Sequence, residues 1–334
     1  MHRKISKGKI IYYQKPMKIA LIGPGIMPIP PPAWGAVEIL IWDYYNELTK
    51  LGNQVTIINT KDKQDIVRQI NSGNFDFVHL HYDVYYDILD KLACQNIAIT
   101  SHYPYIDQPG KHWQDGYTKI FDFLIHQKKY YNFVLADKDM ETFINNGANI
   151  LKLKKFKNGI NSEKFAFLPL PIYNKTIYLG KISPRKNQAK YQSITNIEFV
   201  GGCNDPNFNQ NSLSYWGEWP REKIQQDLTK YANLLLISEG EADPLVVKEA
   251  LIAGLGVVVN KSSAENLDTT KNFITVIDDD RKEDIDYIRE VLEENKKIAR
   301  NQRAKIRAYG IEKFDITKEC EFYLTVIKSI CSNE

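Results

Sequence analysis

Cysteine is scarce in this chain: four in 334 residues, Cys94, Cys203, Cys320 and Cys331, with no close pairing and no metal-ligand spacing toward the six histidines. That excludes a disulfide scaffold and a zinc site, and it favours a reduced, cytoplasmic compartment. Long apolar runs are missing as well. No stretch approaches the roughly 20 residues that a membrane span needs, and the opening MHRKISKGKIIYYQKP lacks the apolar core of a signal peptide. An excess of one charge is also absent: 44 Lys and Arg against 41 Asp and Glu leave +3, which argues against a nucleic-acid partner. Any basic patch must be local, and residues 1–16 read as a basic extension able to touch an anionic surface. What the chain does have is length for two domains, each with its own core.

The first half alternates strands and helices. Strand 18–22 ends in Gly23-Pro24-Gly25, and a proline-rich loop runs through Pro32 into Trp34-Gly35-Ala36-Val37-Glu38. A helix over 36–51 and a strand over 55–58 complete a βαβ opening. The glycines let backbone N–H groups approach a phosphate, but the run does not complete the dinucleotide fingerprint, which sets an NAD enzyme aside. Further strands are expected at 77–80, 97–100 and 133–136. His102 follows the strand at 97–100 and can reach a sugar hydroxyl, whereas His79 and His81 read as capping or packing residues. The aromatics His112, Trp113, Tyr117, Tyr130 and Tyr131 read as packing in or near the next helix. Asp137-Lys138-Asp139 has the two-apart carboxylates that can hold a divalent cation, though Asp137 reads more simply as the cap of a helix over 138–146. Asn158-Gly159 is a turn, and Pro169 and Pro171 mark a linker.

The second half restarts the pattern. A strand at 176–179 runs into Gly180-Lys181-Ile182-Ser183-Pro184-Arg185-Lys186-Asn187, whose three cations suit a diphosphate. A strand at 197–200 is followed by Gly201-Gly202, a helix at 220–231 by a strand at 234–237. The stretch from Ser238 to Asn260 then places carboxylates where a helix would bury them. Asp243 is expected to cap the helix, Pro244 to be its first residue, and Gly254 to stop it, with a strand at 257–259. That helix is apolar almost all round except for Lys248 and Glu249, and buried charge needs a partner. Strand 274–277 ends in an acidic turn, 281–307 reads as a charged, solvated helix, and 315–330 has one apolar face.

Glu241 and Glu249 are separated by seven residues inside E-A-D-P-L-V-V-K-E-A-L-I-A-G. This resembles the E-x7-E signature of the family 4 (group 1) retaining glycosyltransferases. Trp34-Gly35-Ala36-Val37-Glu38 is similar to that family's G-G-x-E loop with one glycine replaced, and His102 to its donor-sugar histidine. Lys157 to Phe165 resembles its P-N-G-I-D-x-x-x-F turn, and Lys181 and Lys186 stand where it has G-R-x-x-x-x-K. The resemblance runs from about Lys18 to about Gly254 and onto the last helix. It implies a GT-B fold: α/β, two doubly wound Rossmann-like domains facing across a cleft. Their expected bounds are 17–168 on the acceptor side and 172–310 for the nucleotide sugar, with 311–334 crossing back to the first domain.

The resemblance also implies an activity: transfer of a hexosyl unit from a nucleotide-diphosphate sugar, with UDP sugars favoured, to a hydroxyl of a sugar, lipid-linked or small-molecule acceptor in glycan synthesis. No metal or other cofactor is implied. Glu241, His102 and Lys186 would act on the transferred sugar and leaving group. Gly25, Gly35, Lys181, Lys186, Gly201, Gly202, Asp243, Pro244, Leu245 and Glu249 would bind the donor, with Glu249 on the ribose. Pro244 replaces a glycine of the family's pattern and Ala242-Asp243 replace Gly-Phe. Three alternatives stand beside this reading: a non-hydrolysing sugar-nucleotide epimerase, a metal-dependent GT-A transferase using Asp137 and Asp139, and a non-enzymatic sugar-nucleotide-binding module.

Overall fold

Two parallel sheets organise the chain, one built from its first half and one from its second. The computed structural model describes residues 15–332 and, as backbone alone, the strands Arg3–Ser6 (β1) and Lys9–Tyr12 (β2). These two pair as an antiparallel hairpin that the sequence reading did not anticipate. The rest of the basic segment 1–16, up to residue 14, lies outside the described residues.

The first sheet contains β3 (Lys18–Ile22), β4 (Gln54–Ile58), β5 (Phe77–Leu80), β6 (Ile97–Thr100), β7 (Tyr131–Val134) and β8 (Leu153–Lys155). Helices α1 (Ala36–Lys50), α2 (Lys63–Gly73), α3 (Pro109–Gln114), α4 (Thr118–His126) and α5 (Asp137–Asn145) connect them. The order β4-β3-β5-β6-β7-β8 reverses direction beside β3, where β4 lies on one side and β5 on the other. The second sheet holds β9 (Thr176–Leu179), β10 (Ile197–Val200), β11 (Asn233–Leu236), β12 (Gly256–Asn260) and β13 (Ile274–Ile277), with α6 (Arg221–Asp227) and α7 (Leu245–Ile252) between strands. Its order β10-β9-β11-β12-β13 reverses beside β9. Crevices outside the carboxyl ends of strands at such reversals are where open α/β sheets bind ligands.

All five residues of β12 are buried, which explains why it reads as an unbroken run GVVVN with no alternation: helices cover both faces. Two helices close the chain. In α8 (Ile285–Phe314), Ile288, Leu292, Ala299 and Ile306 pack on the second core. The expectation of a solvated helix there is corrected by Arg303, which is buried with 2% exposure. Its guanidinium donates to the carbonyls of Leu168 (2.9 Å), Tyr231 (2.9 Å) and Ala253 (3.2 Å), so a fork of donors finds enough acceptors to stay charged inside. Helix α9 (Ile316–Ser332) turns back: Ile316, Cys320, Tyr323, Leu324 and Ile327 share one core with Leu40, Ile41, Tyr44 and Leu48 of α1.

Capping differs from expectation at two helices. Ala136, not Asp137, is the N-cap of α5, and Asp137 instead pairs with Lys155 at 2.6 Å. Pro244, not Asp243, is the N-cap of α7, because the Asp243 carboxylate is committed elsewhere.

Candidate functional site

Three loops from the second sheet and two from the first meet around a cavity of about 400 Å³. After β9 come Gly180, Lys181, Arg185 and Lys186; after β10 come Gly201 and Gly202; after β11 come Glu241 to Pro244, leading into α7 with Leu245 and Glu249. Across from them the first sheet contributes Gly35 from the loop after β3 and His102 from the loop after β6. The β9 and β10 loops touch backbone to backbone: a side chain at Gly201 would put its Cβ 2.0 Å from the Gly180 carbonyl oxygen, and its φ of +148° suits glycine as well. The candidate residues His102, Gly35, Lys181, Lys186, Gly201, Gly202, Glu241, Asp243, Pro244, Leu245 and Glu249 therefore come together.

Gly25 does not join them. Its N–H donates to Asn59 Oδ1 at 2.7 Å, and a Cβ there would meet Thr60 of the neighbouring strand-end loop at 2.4 Å. Gly25 serves loop packing beside β4, outside the cavity lining.

Charge is concentrated on one wall. The Glu241 carboxylate lies 3.1 Å from both Lys186 Nζ and Arg185 Nη1, with Oε1 receiving both. Burial pushes its pKa up, but Lys186 and Arg185 outweigh that and hold it below the ordinary carboxylate value. Glu241 thus faces Arg185 and Lys186, with Lys181 on the same loop and Glu218 lining the cavity beside Gly202. Lys181 Nζ sits 4.9 Å from the ring centroid of Trp34, a contact from the second half of the chain to the first. The first turn of α7 adds the N–H groups of Leu245 and Val246, which no helical carbonyl can satisfy. Pro244 just before them has no N–H to give.

Asp243 lines the cavity with its backbone while its side chain is fully buried and turned to structural work. It pairs with Lys248 and accepts from the Asn158 N–H at 2.7 Å; Lys248 Nζ in turn donates to the Asn158 carbonyl at 2.8 Å. The two polar residues of α7 thus have separate partners, since Glu249 Oε1 lies 2.6 Å from Arg221 Nη2.

Two atoms on cavity-lining residues lack a hydrogen-bond partner among the described residues: Asp243 Oδ1 and His102 Nε2. Behind His102 stand His81 and His79, with centroids 5.8 Å and then 3.8 Å apart along the column. Burial lowers the pKa of His102 to about 4 and that of His79 to about 3, so all three rings are neutral near pH 7. A neutral His102 can both donate and accept, as hydroxyl recognition requires.

Asp137 and Asp139 do not converge on a cation. Asp137 faces Lys155, Asp139 is buried with 2% exposure and a pKa pushed by burial to about 7, and among the described residues no group of three His, Cys, Asp or Glu side chains is placed to hold a metal. Arg185 and Arg221 were not among the candidate residues. Arg185 was visible as one of three loop cations, but nothing in the sequence connects Arg221 to Glu249.

Two doubly wound parallel sheets facing across a charged cavity, with the last helix returned to the first sheet, make the GT-B fold of the glycosyltransferases. No protein-family model matches the sequence, and no curated protein matches it. Among solved structures the chain is similar to AviGT4, a glycosyltransferase involved in avilamycin A biosynthesis, with TM-score 0.71, 13% identity and coverage of 96% of this chain and 99% of that one. It is similar to HepE of Anabaena in complex with UDP and glucose, with TM-score 0.71, 13% identity and coverage of 94% and 100%. WaaG, a glycosyltransferase involved in lipopolysaccharide biosynthesis, matches with TM-score 0.69, 12% identity and coverage of 92% and 99%. The GT-B architecture also removes the GT-A reading of Asp137 and Asp139, which belongs to a different fold.

Proposed function

We propose that this chain is a retaining glycosyltransferase, resembling family 4, that moves a hexosyl unit from a nucleoside-diphosphate sugar to an acceptor hydroxyl without a divalent cation. The observation that carries this reading is the Lys186–Glu241–Arg185 cluster on one wall of the cavity, opposite His102. HepE was solved with UDP and glucose, which favours a UDP sugar as donor. Domain limits of 17–168 and 172–310, with the last helix at 311–334, go with this reading, as does work in the cytoplasm on a sugar, lipid-linked or small-molecule acceptor.

In this reading Glu249 accepts from the ribose hydroxyls, and Gly201 and Gly202 leave room for the nucleoside. The diphosphate lies against Lys181, Lys186, Arg185 and the first turn of α7, whose positive charge grows in worth as the sugar–phosphate bond breaks. Glu241 and His102 hold the transferred sugar. The acceptor oxygen attacks the anomeric carbon from the leaving-group face and its proton passes to the departing phosphate oxygen, so the configuration is retained.

A thermal-shift panel of nucleotide sugars tests the reading first, because a ligand that binds only the folded state raises stability by mass action. The expected result is stabilisation by one nucleotide's sugars, followed by a glycoside product with the donor's anomeric configuration when acceptor is supplied. Conversion of the donor without acceptor would instead identify an epimerase, and binding without any product a binding module.

A further inference from the structure

Glu249 is not held by its own helix but by a residue 28 positions earlier that belongs to a different helix. Arg221 opens α6, its guanidinium is 13% exposed, and its Nη2 lies 2.6 Å from Glu249 Oε1, while Oε2 accepts no hydrogen bond among the described residues. The guanidinium carbon lies over the Phe165 ring, 5.4 Å from its centroid, a second contact on the same group. A second pair stands beside the first: Lys164 Nζ reaches Asp43 Oδ1 at 3.0 Å, and Asp43 on α1 is buried with 5% exposure. Burial raises the Asp43 pKa, with Lys164 and Arg221 opposing and Glu249 adding to it, so the four charges act on one another. They come from α1 of the first sheet, the segment joining the two halves, α6 and α7. The Arg221 N–H also points to the Pro32 carbonyl, at 3.4 Å, in the proline-rich loop after β3.

We propose that Arg221 is a positioning residue for donor binding, fixing Glu249 through Oε1 so that Oε2 is presented to the ribose and anchoring that glutamate to the first half of the chain. The proposal rests on the reading of Glu249 as a ribose-binding residue. A flexible carboxylate would lose rotamer freedom each time it met the ribose, and a carboxylate already held by a guanidinium has lost it beforehand. The guanidinium also gives this buried carboxylate a charged partner in an otherwise apolar helix, where an unpaired one would be costly.

The test is a double-variant cycle read by titration calorimetry with UDP and GDP as probes, on the full chain, each variant first checked for fold by circular dichroism. Arg221→Gln is expected to weaken nucleoside-diphosphate binding about tenfold, equivalent to about 1.4 kcal/mol, and to raise the donor KM while leaving kcat at saturating donor unchanged. Arg221→Lys, which keeps the charge but not the fork, is expected to recover part of the loss. In a Glu249→Gln background the Arg221→Gln change is expected to have no further effect, because it acts through that carboxylate. Parent-like affinity in folded Arg221→Gln, or losses that add fully with Glu249→Gln, would overturn the proposal. If Arg221→Gln does not fold, the same cycle is run with Arg221→Lys and the same two results decide. A parent protein that binds neither probe would overturn the nucleotide-sugar reading itself, and this proposal with it.

Discussion

Lys186 Nζ and Glu241 Oε1 stand 3.1 Å apart, one from the loop after β9 and the other from the loop after β11, so two strand ends flanking the sheet reversal are tied by charge. Arg185 shares the same oxygen, so two cations of one loop hold Glu241 in place. On the proposed function, Glu241 serves the part of the donor that reacts and Glu249 the part that does not change during reaction.

The two carboxylates are therefore expected to separate in steady-state kinetics. Glu241→Ala should lower kcat by roughly a hundredfold or more, since its contact strengthens as charge develops. Glu249→Ala should mainly raise the donor KM by one or two orders of magnitude, about 1.4 kcal/mol for each tenfold. Circular dichroism must show both variants folded. Parent-like turnover by both at saturating donor would remove these residues from the chemistry.

Turnover is expected to survive exhaustive chelation, with the Lys181, Arg185 and Lys186 side chains and the start of α7 facing the diphosphate. Activity lost on chelation and restored only by manganese or magnesium would assign that role to a cation.

Removing one partner of the buried Asp243–Lys248 pair should be costly, because Lys248 is left without its countercharge in a site with 1% side-chain exposure. Asp243→Ala is expected to destabilise by about 3–5 kcal/mol, while the double change Asp243→Asn with Lys248→Met recovers most of it. Urea denaturation measures both; a single-variant cost under about 1 kcal/mol would contradict the role given to the pair.

The buried histidines should make acid destabilising between pH 6.5 and pH 4, with Asp139, whose pKa burial raises to about 7, opposing them over the same range. Burial lowers the pKa of His102 to about 4 and of His79 to about 3, against 6.5 ordinarily. Above about pH 6.5 neither state binds the extra proton and stability is full; below it the unfolded chain takes up protons that the folded chain refuses. The contribution of each histidine should then fall from pH 6.5 toward pH 4, by at most about 1.4 kcal/mol per pH unit. Denaturant midpoints across this range should slope less in His102→Gln than in the parent. Equal slopes would mean that His102 titrates normally.

Most of the strands and the order of the site loops were legible because they depend on local patterns. GVVVN, TIYL and IEFV are buried throughout, as their apolar runs suggest, and Glu241 and Glu249 announce themselves by spacing. Helix α2 was not placed, since KQDIVRQINSG carries only a thin apolar stripe, and α3 and α4 were foreseen only as one helix at or near His112 to Tyr131. Arg221 and Arg303 escaped because their partners are distant in sequence: Glu249 for one, the carbonyls of Leu168, Tyr231 and Ala253 for the other. Asp243 was misread as a cap because a cap is the commonest local use of aspartate before a helix, and its real partners, Asn158 and Lys248, are fixed only when the halves meet.

The return of α9 to the first sheet has a consequence for the order of events during synthesis. Domains usually fold as units from the amino end while the ribosome is still at work. Here the core that Leu40, Ile41, Tyr44 and Leu48 of α1 form with Ile19, Leu21 and Phe77 of the first sheet stays incomplete until Ile316, Cys320, Tyr323 and Ile327 have been made. The earlier half must wait, with apolar surface open, for nearly the whole chain to be translated. A ribosome stalled before α9 would hold a second domain able to finish its own core beside a first that is not.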